Sequence, residues 1–188
     1  DRKYLITRLS AMQNLPEKEQ QAALNEFLAH DALQPDEFAF SVAVDGLERF
    51  GGKPVDAYLN FRGDSLQRNN GQIPMSLIGL YDHFFFHAEI GGFLPGQDYE
   101  LRIITSDMLK KELPPTDFVV KANGHEIFRG DYKTLVRDEE YERAWLGESY
   151  CAVKLELPAE VFENGCLFLE LEEKRIGIEF AEIRITRK

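Results

Sequence analysis

The strand pattern of residues 149–188 is the feature that most constrains the fold. In SYCAVKLELPAEVFENGCLFLELEEKRIGIEFAEIRITRK, apolar residues recur at every second position in three separate runs. This period is typical of half-buried β-strands. Pro158 ends the first run because proline cannot donate a ladder hydrogen bond, and Asn164-Gly165 marks a turn. Three amphipathic strands joined by short links must pack on a second layer, so this stretch predicts part of a two-sheet domain.

The direction of individual side chains follows from the same alternation. The residues predicted to face the core are Cys151, Val153, Leu155, Leu157, Leu167, Leu169, Leu171, Ile176, Ile178, Phe180, Ile183 and Ile185. The parity of the third run changes near Ala181, which predicts a β-bulge. In the first run, Tyr150, Lys154 and Glu156 fall on the opposite face.

The two cysteines are expected to point in opposite directions. Cys151 belongs to the inward set, whereas Cys166 shares a face with Phe168 and Glu170. A disulfide would require one strand to reverse its side-chain direction, so we predict two free thiols.

The rest of the chain alternates short strand patterns with turn signals. Pro16 to about His30 predicts a helix, because acidic residues follow the proline and an apolar stripe has helical spacing. Strands are predicted at 38–44, 55–61, 99–103 and 151–157, with a hairpin at 119–128 and two further strands after 166. The strongly apolar run 76–90 fits either a strand buried on both faces or the wall between two sheets. DGLERFGGKP is interpreted as a turn-rich break, and 62–75 as a polar loop. These signals predict a helical cap or connector over residues 1–36 and a β-sandwich over 37–188.

Composition excludes several kinds of partner. The net charge of −11 disfavours nucleic acid and anionic membrane surfaces, which are bound through basic residues. No apolar run approaches the length of a membrane span. The chain begins at Asp1 rather than methionine, as expected of a processed or excised chain, so a targeting segment would not be visible.

Two blocks of the sequence resemble a known class of domain. The order of the final strands, with LPAEVFENG between the first two and GIEFAEIRIT at the end, is similar to the closing strands of galactose-binding-like β-sandwich domains. FFFHAEIGGFLPGQDYELRIITSD followed by DFVVKANGHEIFRGD resembles the preceding strands of that class. The resemblance covers roughly Leu80 to Thr186 and implies an all-β jelly-roll sandwich. Such domains are carbohydrate-binding modules and ancillary domains of polysaccharide lyases and glycoside hydrolases, so it also implies an extracytoplasmic bacterial setting.

Acidic and histidine clusters give little support for catalysis. Asp138 to Glu142 lies in a predicted loop, and Glu170, Glu172 and Glu173 are assigned to an outward strand face, so both acidic groups are interpreted as solvated charge. His83 and His87 have the i, i+4 spacing of a helical zinc site. In a strand, however, they would be roughly 13 Å apart, too far to share a metal. We therefore predict that the chain is not an enzyme.

A structural calcium ion is a further expectation from the resemblance, because sandwich modules of this kind hold calcium with loop carboxylates and carbonyls. The loop acids Asp64, Asp131 and Asp138 are the candidate ligands. Their spacing does not single them out.

The segment YERAWLGESY is the candidate sugar site. Trp145 is the only tryptophan, and Tyr141, Arg143 and Tyr150 lie close to it in sequence. A flat apolar ring can stack on the C–H face of a pyranose while charged or amide groups bind its hydroxyls. The alternative is that Trp145 plugs the end of the sandwich, since tryptophan is usually buried.

The polar segment at residues 62–75 could form the opposite wall of such a site. Its candidate ligand residues are Arg62 and Asn69. The simpler interpretation of this segment is a solvated loop.

Three functions remain open at this point. The first is a non-catalytic carbohydrate-binding module whose partners are a carbohydrate and a neighbouring catalytic domain. The second is a structural or protein-interaction sandwich that braces such a domain and binds no sugar. The third is a lyase or hydrolase that uses loop acids, which would require two facing carboxyl groups in a cleft.

Overall fold

Two antiparallel sheets make up most of the described chain. The computed structural model describes residues 15–43, 46–50, 57–62, 64–69, 74–80, 85–106, 114–143, 150–174 and 178–188. The helices are α1 Glu17–Asp31 and α2 Glu139–Tyr141, with 3-10 turns at Tyr132–Thr134 and Ala159–Val161. The strands are β1 Phe38–Ala43, β2 Gly46–Phe50, β3 Ala57–Arg62, β4 Asp64–Asn69, β5 Pro74–Leu80, β6 Phe85–Gly91, β7 Tyr99–Ser106, β8 Phe118–Ala122, β9 His125–Gly130, β10 Val136–Arg137, β11 Tyr150–Leu157, β12 Cys166–Glu173 and β13 Ile178–Arg187.

The strand order places the C-terminal strands in the middle of both sheets. The larger sheet has the order β10-β11-β7-β13-β1-β2, with β5 also paired to β13 and β4 paired to β5. The smaller sheet has the order β3-β6-β12-β8-β9. This two-sheet antiparallel arrangement confirms the predicted all-β jelly-roll sandwich.

The core lies between the sheets and is built by the alternating residues of the sequence. In β12, Leu167, Leu169 and Leu171 are buried while Phe168 is 39% exposed. Each fully buried leucine contributes about 1.5–3 kcal/mol relative to an exposed one. Aromatic rings from both sheets meet between them, since Phe86 of β6 packs against Phe180 of β13 with their centroids 5.5 Å apart.

The predicted bulge in β13 is confirmed. The pairing of β13 with β7 shifts register between Phe180 and Glu182. Because of this shift, Phe180 and Ile183 are both buried although three positions separate them. Ile176 lies outside the described residues.

The first half of strand β11 does not show the predicted alternation of buried and exposed residues. Cys151 and Val153 are buried as predicted, but Tyr150 and Ala152 on the opposite face are buried too. The prediction that only one face of β11 is buried is therefore wrong for Tyr150, because both faces of the strand are covered at this end. Cys166 is exposed and the two cysteines form no disulfide, as predicted.

Two sequence assignments between residues 45 and 75 are wrong. The break DGLERFGGKP contains strand β2, which pairs with β1 along its whole length. The predicted polar loop at 62–75 contains β4 and the start of β5, which form an antiparallel pair. Of the two alternatives for the apolar run 76–90, the structure excludes a single strand, because the run contributes β5 to the larger sheet and β6 to the smaller one.

Glu173 is a further correction. It was predicted on an outward face but is only 1% exposed at the end of β12. Its Oε1 accepts a hydrogen bond from the Asp117 backbone N–H at 3.3 Å, so the carboxylate holds the start of β8.

The segment that joins α1 to β1 is anchored to the sandwich. Asp36 is buried, and its carboxylate accepts a 2.7 Å hydrogen bond from the Tyr99 hydroxyl and faces Arg187 at 3.1 Å. Glu37 accepts a hydrogen bond from the Arg187 backbone N–H at 3.0 Å. Helix α1 agrees with the predicted helix, and the division into 1–36 and 37–188 stays a prediction.

We expect the Tyr99–Asp36 contact to make the free energy of unfolding depend on pH in the alkaline range. Burial and the hydrogen bond to Asp36 raise the pKa of Tyr99 to about 12, against about 10 in an unfolded chain. The folded state therefore favours the protonated phenol, and the stability that this supplies is lost as pH rises from about 10 to about 12.

The replacement Tyr99→Phe tests this dependence. It leaves the Leu94 N–H, which donates to the Tyr99 oxygen at 2.9 Å, without that acceptor, at a cost of about 1–2 kcal/mol near neutral pH. Urea unfolding at several pH values should show a shallower alkaline loss for the variant than for the wild type. Equal alkaline slopes would contradict the assignment.

Candidate functional site

A cluster of charged and aromatic side chains lies where α2 meets the outer face of the larger sheet. Asp138 caps α2, because its Oδ1 accepts from the Tyr141 backbone N–H at 3.1 Å. The Glu142 N–H donates to the Asp138 carbonyl at 2.9 Å and continues the turn. This cap places the Tyr141 ring and the Asp138 carboxylate side by side.

Arg102 of β7 connects this turn to the sheet. Its guanidinium lies 4.2 Å from the centroid of the Tyr141 ring, within the range of a cation–π contact. The same group donates to Asp138 Oδ2 at 2.9 Å and to Glu100 Oε1 at 3.1 Å. Lys154 of β11, directly opposite Arg102 in the strand register, lies 3.8 Å from Asp138.

The electrostatics of this cluster favour a charged Asp138. Burial alone would raise the pKa of its carboxyl group, but the Tyr141 N–H and the Arg102 guanidinium outweigh burial and hold the pKa below its usual value. The group is therefore an ionised acceptor at neutral pH.

A second ion pair attaches the same turn to β11. The Glu142 carboxylate accepts from Arg137 Nη2 at 2.5 Å and from the Ala152 backbone N–H at 2.9 Å. The Glu142 side chain is 10% exposed and that of Arg137 is 37% exposed. These contacts fix the backbone that leads into residues 144–149.

The structure describes only some of the residues that the sequence grouped as a sugar site. Tyr141 lies in the cluster, Arg143 is exposed just after it, and Tyr150 is buried at the start of β11. Trp145 lies outside the described residues. Arg62 and Asn69 end β3 and β4, which belong to different sheets, and their side chains are not described.

The predicted calcium ligands likewise occupy different elements. Asp131 Oδ1 accepts from the Thr116 hydroxyl at 3.1 Å and from the Thr116 and Lys133 N–H groups at 3.3 Å. Asp138 faces two cations, and Asp64 begins β4 with a side chain that is not described. Donors surround both described carboxylates, which disfavours a calcium ion there. The calcium site stays a prediction.

Sequence reasoning missed a cluster on the outer face of the smaller sheet. His87 of β6 lies opposite Glu170 of β12, and Glu172 follows on the same face. His87 Nε2 is 3.3 Å from Glu172 Oε1 and 4.0 Å from Glu170 Oε1. The alternation of side chains in β12 predicted that both glutamates face outward. That His87 lies beside them depends on the pairing of β6 with β12, which the alternation does not reveal.

Comparisons with known proteins bear on the fold. A family 35 carbohydrate-binding module from an environmental isolate superposes with a TM-score of 0.50 at 14% identity, and the match covers 79% of this chain and 91% of that one. The chain has the β-sandwich fold of a carbohydrate-binding module. No protein-family model and no curated protein matches the sequence.

Two other similar structures have lower scores. A family 35 carbohydrate-binding module from Clostridium thermocellum has a TM-score of 0.39 at 11% identity, covering 69% of this chain and 91% of that one. The β-glucuronidase of Bacteroides uniformis has a TM-score of 0.46 at 10% identity, and the match covers 81% of this chain but 18% of the enzyme.

Within the described residues, no helix is both long and apolar enough to cross a membrane.

Proposed function

We propose that this chain is a non-catalytic carbohydrate-binding module that accompanies a neighbouring catalytic domain of a glycan-processing enzyme. The observation that carries the proposal is the Tyr141 ring held beside the charged groups of Arg102 and Asp138. The similarity of the fold to a family 35 carbohydrate-binding module supports it. An extracytoplasmic location, secreted or periplasmic, belongs to the same proposal.

In this proposal each described group has a role. Arg102 lies over the Tyr141 ring, and in this proposal a pyranose packs its C–H groups against the solvent-accessible part of this half-buried ring. Arg143, which is exposed two residues after Tyr141, donates to sugar hydroxyls, while Asp138 holds the Arg102 guanidinium beside the ring. In this proposal Trp145 supplies a second stacking surface.

A glycan-array screen with and without calcium, followed by calorimetry on any hit, tests the proposal. We expect Tyr141→Ala and Trp145→Ala each to weaken binding at least about tenfold, as loss of a central aromatic contact does. Phe168→Ala is the matched control, because it removes an exposed aromatic ring from the smaller sheet.

Two results would contradict this assignment. Unchanged affinity in both folded variants would move the sugar site elsewhere on the sandwich. A blank array with and without calcium would favour a sandwich that braces a catalytic domain and binds no sugar.

A further inference from the structure

The outer face of the smaller sheet carries three potential metal ligands on neighbouring strands. The register pairs Glu170 with His87, and Glu172 lies two positions along the same strand. One ligand atom from each residue can be chosen so that all three lie within 4.8 Å of one another. The site is therefore built by strand pairing, which fixes the spacing of the backbones that carry it.

The distances suit an ion better than a simple ion pair. A tetrahedral zinc ion with bonds of about 2.0–2.1 Å holds its ligand atoms roughly 3.3 Å apart. His87 Nε2 already lies 3.3 Å from Glu172 Oε1, and Glu170 Oε1 is 4.0 Å away. A single N–H can donate well to only one of two converging carboxylates, whereas a divalent cation satisfies both.

The surroundings hold the imidazole in place. The Phe85 ring packs against the His87 ring with centroids 4.4 Å apart, and Phe168 contacts it edge-on at 5.7 Å. Such packing restricts the rotation of the ring, and restricted ligands lose less entropy when a metal binds. The side chains of the three ligand residues are 18–28% exposed, so solvent reaches the site and water can complete the coordination.

Lys174 leaves available the oxygen of Glu172 that faces His87. Lys174 Nζ lies 4.0 Å from Oε2 of Glu172, whereas the oxygen that faces His87 is Oε1. Lys121 lies opposite Glu170 in the register of β8 with β12. Lys174 can therefore keep its contact with Glu172 while the other oxygen binds the metal.

We infer that His87, Glu170 and Glu172 form a surface site for a zinc-class transition-metal ion, independent of the sugar site. One imidazole nitrogen with two carboxylate oxygens is a donor set that suits zinc, whereas calcium and magnesium favour oxygen ligands alone. With three protein ligands and one solvent position, the site is open.

The test uses the purified full chain after removal of metal with a chelator. Zinc is titrated calorimetrically against the wild type, His87→Ala, Glu172→Gln and His125→Ala. The last variant is a matched control, because His125 is exposed on β9 outside the cluster. We expect one zinc ion per chain in the wild type. Loss of a direct ligand should weaken binding at least about tenfold, since losing even a group that only hydrogen-bonds a ligand costs about 10- to 100-fold.

Glu172→Gln keeps the shape of the side chain, so it reports on the ligand oxygen even if His87→Ala fails to fold. A parallel nuclear magnetic resonance titration should shift the His87 imidazole signals and leave those of His125 unchanged. Absence of zinc binding by the wild type would overturn the inference. Equal zinc affinity in the wild type and Glu172→Gln would also overturn it.

Discussion

Replacing Gly165 with alanine should destabilise the protein by about 3–5 kcal/mol. Gly165 has φ +75°, a conformation that costs an L-residue about 1–2 kcal/mol. A Cβ there would lie 2.7 Å from the Phe93 carbonyl oxygen, which is backbone and cannot rotate away. The Gly92 and Phe93 N–H groups both donate to the Gly165 carbonyl at 3.1 Å, so any shift also disturbs these hydrogen bonds.

The control for this variant is Gly124→Ala. Gly124 has a similar φ of +78°, but a Cβ there would meet no atom within 4 Å. We expect it to cost only the backbone term of about 1–2 kcal/mol. Urea unfolding of the two variants separates the steric clash from the conformational strain. Equal losses would show that the Gly165 turn moves away from Phe93 at little cost.

Replacing Arg137 with alanine should cost about 1–3 kcal/mol, because it leaves the largely buried Glu142 carboxylate without its cation, although water can reach the place of the 37% exposed arginine side chain. The remaining donor to that carboxylate is the Ala152 N–H. Since Glu142 joins the α2 turn to β11, we expect the proposed sugar affinity to fall together with stability. Thermal unfolding and calorimetry with the selected glycan measure the two effects.

Arg129→Ala breaks a comparable pair on the surface and serves as the control. Arg129 and Glu126 are each 43% exposed, so the glutamate that remains is solvated and the unfolding midpoint should stay close to that of the wild type. Adding Glu142→Gln to Arg137→Ala should recover part of the loss, because a neutral amide is less costly to bury than a carboxylate. No recovery in the double variant would show that the loss comes from packing instead of charge.

Sequence patterns predicted strands well where alternation and turn residues agreed. The leucines of β12 and the bulge after Phe180 were predictable because burial of one face fixes the parity of side chains. The pattern failed at β2, where glycines beside GLERF outweighed its strand character. It left two alternatives open in the run 76–90, because an apolar stretch does not reveal which sheet each half joins.

The candidate site was predictable only in its local part. Asp138 and Tyr141 are three residues apart, so a turn could bring them together. Arg102 contacts them from a strand 36 residues earlier than Asp138. His87 and Glu172, 85 residues apart, meet for the same reason. Such contacts depend on strand order, which the residues of each segment do not encode separately.

The central position of β13 determines when the larger sheet can form during synthesis of the chain. β13 follows β1, β5 and β7 in the sequence, yet it pairs with all three. During synthesis on the ribosome, β1 and β7 each have one edge that pairs only with β13. These two edges remain unpaired until Arg187, the last residue of β13, has emerged. Exposed strand edges recruit other chains, so the nascent protein passes through an aggregation-prone interval before its larger sheet can close. Synthesis rate and chaperone access during that interval thus bear on the yield of native protein.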